Sequence, residues 1–108
     1  MRVIWSKRAR EDLEEIANYI AQDKPQAAAN WLRDVQDSAV LLSTFPSSGQ
    51  VLEEKNDPSY RVLLIGMYRL IYRVTETSVE ILLVHRTSRR LLISPIILTR
   101  DGSAVDLK

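Results

Sequence analysis

The sequence predicts an α+β domain in which a short N-terminal strand and an antiparallel helical hairpin pack on an antiparallel β-sheet, in the order β-α-α-β-β-β. Three observations predict this class. Apolar residues recur at steps of three and four over residues 9–42, as on one face of a helix, and Pro25 divides that stretch in two. Residues 60–90 contain three runs typical of strands, with short turns between them. The chain has 108 residues, enough for one hydrophobic core and too few for two.

The first two elements are a brief strand and a helix. Residues 2–5 form a β-like run, and Ser6 is then placed to cap a helix by accepting a hydrogen bond from a free N–H of its first turn. The apolar face of this helix contains Ala9, Leu13, Ile16, Ala17 and Ile20. The charged residues fall mostly elsewhere on the helical wheel: Arg8, Glu11, Asp12, Glu14 and Glu15. This helix therefore depends on packing for its stability.

A second helix begins at Pro25, where the missing N–H of proline is not needed, and runs to about Ser43. The short connection over residues 22–24 makes the two helices an antiparallel hairpin. The segment FPSSG, residues 45–49, ends the second helix, and the polar stretch to Ser59 is predicted to be a loop. The apolar face of this helix contains Ala28, Trp31, Leu32, Val35, Ala39 and Leu42.

The turns of residues 60–90 predict how the three strands pair. A two-residue turn at 66–67 fixes the first pairing, and a turn centred on 76–77 fixes the second, so that Leu70 lies opposite Leu83. One face of the sheet is expected under the helices. It contains Leu63, Ile65, Leu70, Tyr72, Val74, Val79, Ile81 and Leu83.

The opposite face mixes apolar and cationic side chains. In the predicted register Arg73 lies opposite Glu80, whereas Arg69 lies opposite Val84 and has no acidic partner. An apolar surface of this size is normally buried, so this face is expected to bind a partner unless the C-terminal segment folds over it. The predicted partner-binding residues are Leu64, Arg69, Ile71, Arg73, Leu82, Val84, Arg86, Arg89 and Arg90.

Charge divides unevenly along the chain. Residues 1–58 carry seven Lys/Arg against ten Asp/Glu, and residues 59–108 carry eight against four. Residues 60–90 contain six arginines and no lysine. Since arginine offers a planar, permanently charged fork that suits carboxylate or phosphate, the sheet is expected to present a basic binding surface.

The composition excludes several classes of protein. No apolar run approaches the ~20 residues that a membrane helix needs, and the N-terminus turns charged too early for a signal peptide. A cytoplasmic protein without a membrane partner is therefore expected. The absence of cysteine excludes disulfides and thiol chemistry, and His85 is the single histidine. Neither a metal site nor a cofactor is expected from so few ligands of the usual kind.

Four segments, taken in order over residues 2–90, resemble the RelE/ParE toxin superfamily of type II toxin–antitoxin systems. They are the AxxDLxxIxxYI pattern of residues 9–20, PxAAxxW of 25–31, FPxxG of 45–49, and the YRLIYRV, VEILLV and HRxxRR segments of 68–90. The resemblance implies a RelE/ParE-like fold. It also implies a cognate antitoxin whose C-terminal segment folds on binding, and hence a toxin–antitoxin hetero-oligomer.

The two branches of this superfamily imply different targets. Members of the ParE branch are not enzymes and bind DNA gyrase, and the long helical hairpin favours this branch. Members of the RelE branch are ribosome-dependent mRNA endonucleases, with ribosome and mRNA as partners. A third interpretation is an inactive module that only binds antitoxin.

A nuclease would need a base, cations for the phosphate and an acid. The candidate set is Glu53 or Glu54 as base, Arg61 and Arg69 as cations, and His85 as acid. In the predicted register His85 points to the helix side, away from Arg69, unless a bulge reverses it. The position at which related nucleases often have a tyrosine is Arg90. The favoured interpretation therefore has no catalytic residue.

The C-terminal segment departs from the family pattern. Residues 91–98, LLISPIIL, are too apolar to remain in water, yet Pro95 prevents a central strand or the middle of a helix. They could add an edge strand, cover the open sheet face or dimerise. Residues 100–108 are predicted to be disordered or a frayed extension. A domain over residues 1–90 and an extension over 91–108 are expected.

Overall fold

The computed structural model describes residues 1–87 and the backbone of two further short strands. The predicted α+β class and the order of its elements are confirmed. No helix in the described part of the chain is long and apolar enough to cross a membrane. The elements are β1 (Arg2–Trp5), α1 (Lys7–Asp23), α2 (Pro25–Thr44), a 3₁₀ turn (Pro46–Ser48), β2 (Gln50–Val51), β3 (Tyr60–Ile65), β4 (Tyr68–Val74), β5 (Ser78–Arg86), β6 (Ile96–Leu98) and β7 (Ala104–Asp106).

Five strands form a mixed sheet in the order β1-β5-β4-β3-β2. The β3-β4-β5 meander is antiparallel as predicted, whereas β1 lies parallel to β5 at one edge. β2 forms the other edge, within the stretch that was predicted to be a loop. A strand of two residues is too short to show an alternating pattern, so the sequence does not reveal it.

The two C-terminal strands pair only with each other, as an antiparallel two-stranded sheet. β6 is therefore not an edge strand of the main sheet. β7 lies within residues 100–108, the stretch predicted to be disordered or a frayed extension. Arg89, Arg90, the predicted boundary at residue 90 and residues 91–95 lie outside the described residues.

Both helices begin where the sequence predicts. Ser6 Oγ accepts the N–H of Ala9 at 2.9 Å and donates to the carbonyl of Leu82 in β5 at 2.7 Å. One hydroxyl thus caps α1 and ties it to the sheet. α2 begins at Pro25 and ends at Thr44, one residue beyond the predicted end. The two helices pack against each other as the predicted hairpin.

The hydrophobic core lies between the helices and one face of the sheet. Trp31 of α2 contacts Tyr68 of β4, with ring centroids 5.1 Å apart. The buried residues of this core are Ala9, Trp31, Val35, Leu42, Ile65, Leu70, Tyr72, Val79, Ile81 and Val84. We call the opposite side of the sheet the outer face. A second buried cluster lies there, formed by Leu52, Tyr60, Ile71, Leu82 and Leu83.

Asp12 lies on the packed side of α1, although the sequence places it among the exposed charges. Its side chain is buried, and Oδ2 accepts the N–H of Val84 in β5 at 3.0 Å. Oδ1 accepts a hydrogen bond from Nε of Arg8 at 2.9 Å. β1 pairs with β5 only as far as Ile81, so the Val84 N–H has no partner strand on that side. The Asp12 carboxylate supplies the missing acceptor.

Tyr72 fastens the FPSSG segment to the sheet. Its ring is fully buried, and its hydroxyl donates to the Pro46 carbonyl at 2.7 Å and accepts the Gly49 N–H at 2.9 Å. A Cβ on Gly49 would lie 2.5 Å from the carbonyl oxygen of Val62. Gly49 is therefore required because the backbone passes so close to β3 and to the tyrosine hydroxyl.

The register predicted from the turns is confirmed for β3 against β4. Gly66 begins the two-residue turn with a φ of 61°, and Ile65 lies opposite Tyr68. The pairing of β4 with β5 is also as predicted as far as Tyr72, which lies opposite Ile81. Both turns therefore have the lengths that the sequence indicates.

A β-bulge in β5 changes the register beyond that point. Leu82 is the extra residue, so Ile71 lies opposite Leu83 and Leu70 lies opposite Val84. The prediction that Leu70 lies opposite Leu83 is wrong. Val84, predicted on the outer face, lies in the core under the helices, and Leu83 lies on the outer face instead.

Candidate functional site

The bulge decides which side of the sheet carries His85. The predicted register pairs His85 with Tyr68 and directs it toward the helices, but the structure pairs it with Arg69. One extra residue in β5 shifts every following residue by one position and so reverses the direction of its side chain. His85 therefore lies beside Arg69, on the outer face.

Arg69 has an acidic partner, contrary to the prediction that it has none. Its two terminal nitrogens donate to the two carboxylate oxygens of Glu54, at 2.9 and 3.2 Å. The side chains of Arg69 and Glu54 are 19% and 26% exposed, so this bidentate pair is largely shielded from water. Glu54 comes from the β2–β3 loop, and Leu52 at the start of that loop packs into the outer-face cluster. We call Glu54, Arg69 and His85 the outer-face triad.

Electrostatics within the outer-face triad favour neutral His85 and ionised Glu54. Burial, and then the positive charge of Arg69, lower the pKa of His85 below its usual value of 6.5. Burial alone would raise the pKa of Glu54, but the hydrogen bonds and charge of Arg69, together with a backbone hydrogen bond, outweigh it and lower that pKa below 4.5. His85 Nδ1 lies 3.1 Å from the carbonyl oxygen of Arg86, and Nε2 is buried with no hydrogen-bond partner in the described part of the chain.

The lowered pKa of His85 predicts how stability changes with pH. The unfolded chain binds a proton near pH 6.5, and the folded chain binds it only at lower pH. Protonation of His85 therefore favours the unfolded chain. The contribution of His85 to the free energy of unfolding should be greatest above pH 6.5 and should decrease as the pH falls below that value. Urea unfolding at several pH values would measure this, and His85→Gln should abolish the dependence in that range. The contribution of Glu54 to stability is separate from that of His85, because it is lost only when the pH falls below 4.5.

The other members of the candidate nuclease set lie apart from the triad. Arg61 is opposite Tyr72, and its guanidinium donates to the Gly49 carbonyl at 2.8 Å. Glu53 is exposed, and no hydrogen bond or ion pair joins it to the triad within residues 1–87. The structure thus brings Glu54, Arg69 and His85 together. Arg61 lies elsewhere, against Gly49.

Arg73 lies opposite Glu80 as predicted, and its Nε donates to that carboxylate at 2.9 Å. Desolvation would lower the pKa of Arg73, but its hydrogen bonds to Glu80 and Tyr60 and the charge of Glu80 together outweigh this and raise the pKa above its usual value. Its guanidinium also lies 6.0 Å from the ring centre of Tyr60, whose ring Lys55 covers at 4.6 Å. Both arginines of β4, Arg69 and Arg73, are therefore paired with glutamates.

The predicted partner-binding residues differ greatly in exposure. Leu64 is 66% exposed on the outer face. Arg86 is also exposed, but it lies opposite Tyr68 and therefore on the helix side of the sheet, not on the outer face as predicted. Ile71 and Leu82 are buried in the outer-face cluster, and Val84 faces the helices. Arg89 and Arg90 lie outside the described residues. The accessible surface is thus smaller than the sequence suggests.

Three exposed apolar residues near the end of α2 escaped the sequence analysis. Val40 is 67% exposed, Phe45 is 61% exposed and Leu41 lies between them in the chain. Val40 and Leu41 continue the apolar run of the helix, and Phe45 belongs to the segment that ends it. The sequence signal for them was that Val40 and Leu41 are apolar and directly follow the predicted core residue Ala39. Among the described residues no three potential metal ligands of the His, Cys, Asp and Glu types come together.

One family model and one curated relative match most of the chain. Residues 3–91 match the model of a family described as the ParE toxin of type II toxin–antitoxin system, parDE. The chain is 35% identical over 85 residues to "Putative toxin Y4kP" of Sinorhizobium fredii, a match that covers 77% of this chain and 84% of the relative.

Two solved structures have a similar fold. One belongs to the chromosomal ParDE system of P. aeruginosa, with a TM-score of 0.66, 21% identity, and coverage of 80% of this chain and 95% of the other. The second belongs to the toxin–antitoxin complex RelBE2 of Mycobacterium tuberculosis, with a TM-score of 0.55, 28% identity, and coverage of 79% and 95%. Proteins of this fold thus occur in both ParDE and RelBE systems.

Proposed function

Because the chain belongs to the ParE family of toxins of type II toxin–antitoxin systems, we propose that it inhibits growth in the cytoplasm by binding DNA gyrase. A cognate antitoxin neutralises it by forming a hetero-oligomer with it. Toxicity of this kind requires a binding surface and no acid–base chemistry. The observation that carries the proposal is the closed bidentate pair between Glu54 and Arg69.

That pair leaves the outer-face triad in the wrong states for RNA cleavage. A general base works best with a pKa near the working pH, whereas the pKa of Glu54 is lowered below 4.5. The guanidinium that would hold a phosphate already has both terminal nitrogens engaged by Glu54. A general acid must carry a proton, whereas the lowered pKa of His85 leaves it neutral at pH 7. All three states oppose catalysis.

A binding function is supported by apolar side chains on the surface. Leu64 on the sheet, and Val40 and Phe45 near the end of α2, are each more than half exposed. Exposed apolar side chains are groups that a protein partner can remove from water. Binding of a target through such a surface needs no catalytic residue, because the function of a fold depends on the site that it carries.

The test is a supercoiling assay with purified gyrase, run in parallel with translation on purified ribosomes. We expect the protein to inhibit supercoiling and to leave mRNA intact. His85→Gln should keep full inhibition, because glutamine preserves a hydrogen-bonding group of similar size and no proton transfer is needed. The matched control is Gln22→Ala, a neutral change at the tip of the helical hairpin. Loss of inhibition by folded His85→Gln would contradict the proposal.

A RelE-like, ribosome-dependent endonuclease is the second candidate, and the bulge in β5 favours it. Without the bulge His85 would face the helices, and with it His85 lies beside Arg69 and Glu54. Binding of RNA would have to displace Glu54 and raise the pKa of His85 before cleavage. Cleavage of mRNA only on translating ribosomes, abolished by His85→Gln, would select this candidate. Inhibition of neither process would indicate an inactive antitoxin-binding module.

A further inference from the structure

The carboxylate on Arg69 belongs to a loop, whereas Arg69 belongs to the sheet. The β2–β3 loop is held at its start by the N–H of Leu52, which donates to the carbonyl of Tyr60 at 2.9 Å. Near its end, Asp57 accepts hydrogen bonds from the backbone and hydroxyl of Ser59, at 3.0 and 2.7 Å. Glu54 lies between these two attachments. Its side chain can therefore leave Arg69 by a change of rotamer, without loss of any strand pairing.

The surroundings of Arg69 are apolar on the accessible side. Leu64 is its cross-strand neighbour and is 66% exposed, and Met67 in the adjacent turn is 53% exposed. Arg86 lies opposite Tyr68 after the bulge, so its side chain is on the helix side of the sheet and does not add to this surface. A segment that carries both carboxylates and apolar side chains would complement this surface.

Nucleic acid fits this surface less well than an acidic peptide. Binding to a phosphate backbone depends on several unpaired cations. Of the outer-face arginines in the described strands, Arg69 and Arg73 are both paired with glutamates. The planar, two-oxygen group already bound to Arg69 is the carboxylate of Glu54. The side chains of the neighbouring Leu64 and Met67 have no hydrogen-bond donor for a phosphate. These features favour a protein partner.

We propose that Glu54 is an internal placeholder for a carboxylate of the antitoxin. In the free toxin Glu54 occupies Arg69, and on binding an antitoxin carboxylate replaces it while apolar antitoxin side chains cover Leu64 and Met67. Exchange of one bidentate pair for another changes the free energy little. Burial of the apolar groups then supplies the affinity. A ligand that displaced Glu54 without supplying a carboxylate of its own would leave the shielded guanidinium unpaired, so the exchange selects for acidic partners. This inference rests on the antitoxin partnership in the proposed function.

The test is the affinity of the full-length protein for its purified cognate antitoxin, compared between wild type and Glu54→Gln. Removal of the competing charge should tighten binding by about five-fold, the range expected for a partly exposed ion pair. Glu80→Gln is the matched control, since it removes the same charge from the same face at Arg73. It should tighten binding much less. In the background of Arg69→Gln, Glu54→Gln should have no effect.

Three outcomes would overturn the placeholder. Equal gains from Glu54→Gln and Glu80→Gln would show a general effect of net charge. Weaker binding by Glu54→Gln would show that Glu54 contacts the antitoxin directly. A gain that persists with Arg69→Gln would show that Arg69 is not the competing site.

His85 gives an independent readout, because it is the single histidine of the chain. Its ring signals in an NMR spectrum should shift on Glu54→Gln and on addition of antitoxin, and should not shift on Glu80→Gln. Unchanged signals on addition of antitoxin would overturn the exchange. The gyrase assay is separate from these measurements: failure to inhibit gyrase would reject the proposed target alone, whereas failure of wild type to bind antitoxin would reject both the partnership and the exchange.

Discussion

Asp12→Ala should lower the free energy of unfolding by about 2–3 kcal/mol, because it leaves the buried N–H of Val84 without an acceptor. The lost ion pair with Arg8 adds little, since the Arg8 side chain is 41% exposed. Urea unfolding followed by tryptophan fluorescence would measure the change. The N–H lies just beyond the bulge, so the substitution should also loosen the register that places His85 on the outer face.

Two matched variants separate the hydrogen bond from the charge. Asp12→Asn keeps an oxygen for the Val84 N–H, and its loss should be about 1 kcal/mol. Glu14→Ala changes an exposed charge on the same helix and should stay within about 0.5 kcal/mol of wild type. If Asp12→Ala were as mild as Glu14→Ala, water or a shift of the strand would have to satisfy the Val84 N–H.

The elements that could be predicted from the sequence are those with local signals. Ser6 and Pro25 mark the starts of the helices through capping and through a missing N–H, and both are confirmed. The turn at Gly66 fixes the register of β3 and β4, because a two-residue turn allows only one pairing of the strands that it joins. The ion pair between Arg73 and Glu80 follows from the second short turn in the same way.

The bulge could not be predicted, because β5 is apolar on both faces around it. Residues 81–84 read ILLV, so a shift of one position still places apolar side chains on each side of the sheet. Hydrophobic alternation therefore gives no signal for the bulge. A buried carboxylate in α1 is the feature that accompanies it, but the sequence alone gives Asp12 the same appearance as its exposed neighbours.

The outer-face triad could be predicted only in part for a related reason. Glu54 and Arg69 are 15 positions apart, and the path of the β2–β3 loop decides whether they meet. Glu53, next in the chain, has the same chemistry and points elsewhere. A loop without a local turn signature leaves such a choice to tertiary contacts, here the packing of Leu52 on the outer face.

Gly49→Ala should be at least as damaging as the loss of Asp12, at about 3 kcal/mol, because a Cβ has no space there. It would lie 2.5 Å from the Val62 carbonyl oxygen and 2.7 Å from the Tyr72 hydroxyl. The φ of Gly49 is −79°, which any residue adopts, so the cost comes from contact and not from backbone conformation. Relief would require the FPSSG segment to move off the sheet, which breaks the bonds of the Tyr72 hydroxyl to Pro46 and Gly49.

Tyr72→Phe tests the same fastening from the other side. It keeps the buried ring and removes only the hydroxyl, so the loss should be about 1–2 kcal/mol. Ser48→Ala, an exposed change in the same segment, should have little effect. Thermal unfolding of the three variants would rank them. We expect Gly49→Ala to unfold at a lower temperature than Tyr72→Phe. If it unfolded at the same temperature as Ser48→Ala, the close approach of this segment to β3 would be wrong. The path of the chain from α2 into β2, and with it the loop that brings Glu54 to Arg69, would then need a different support.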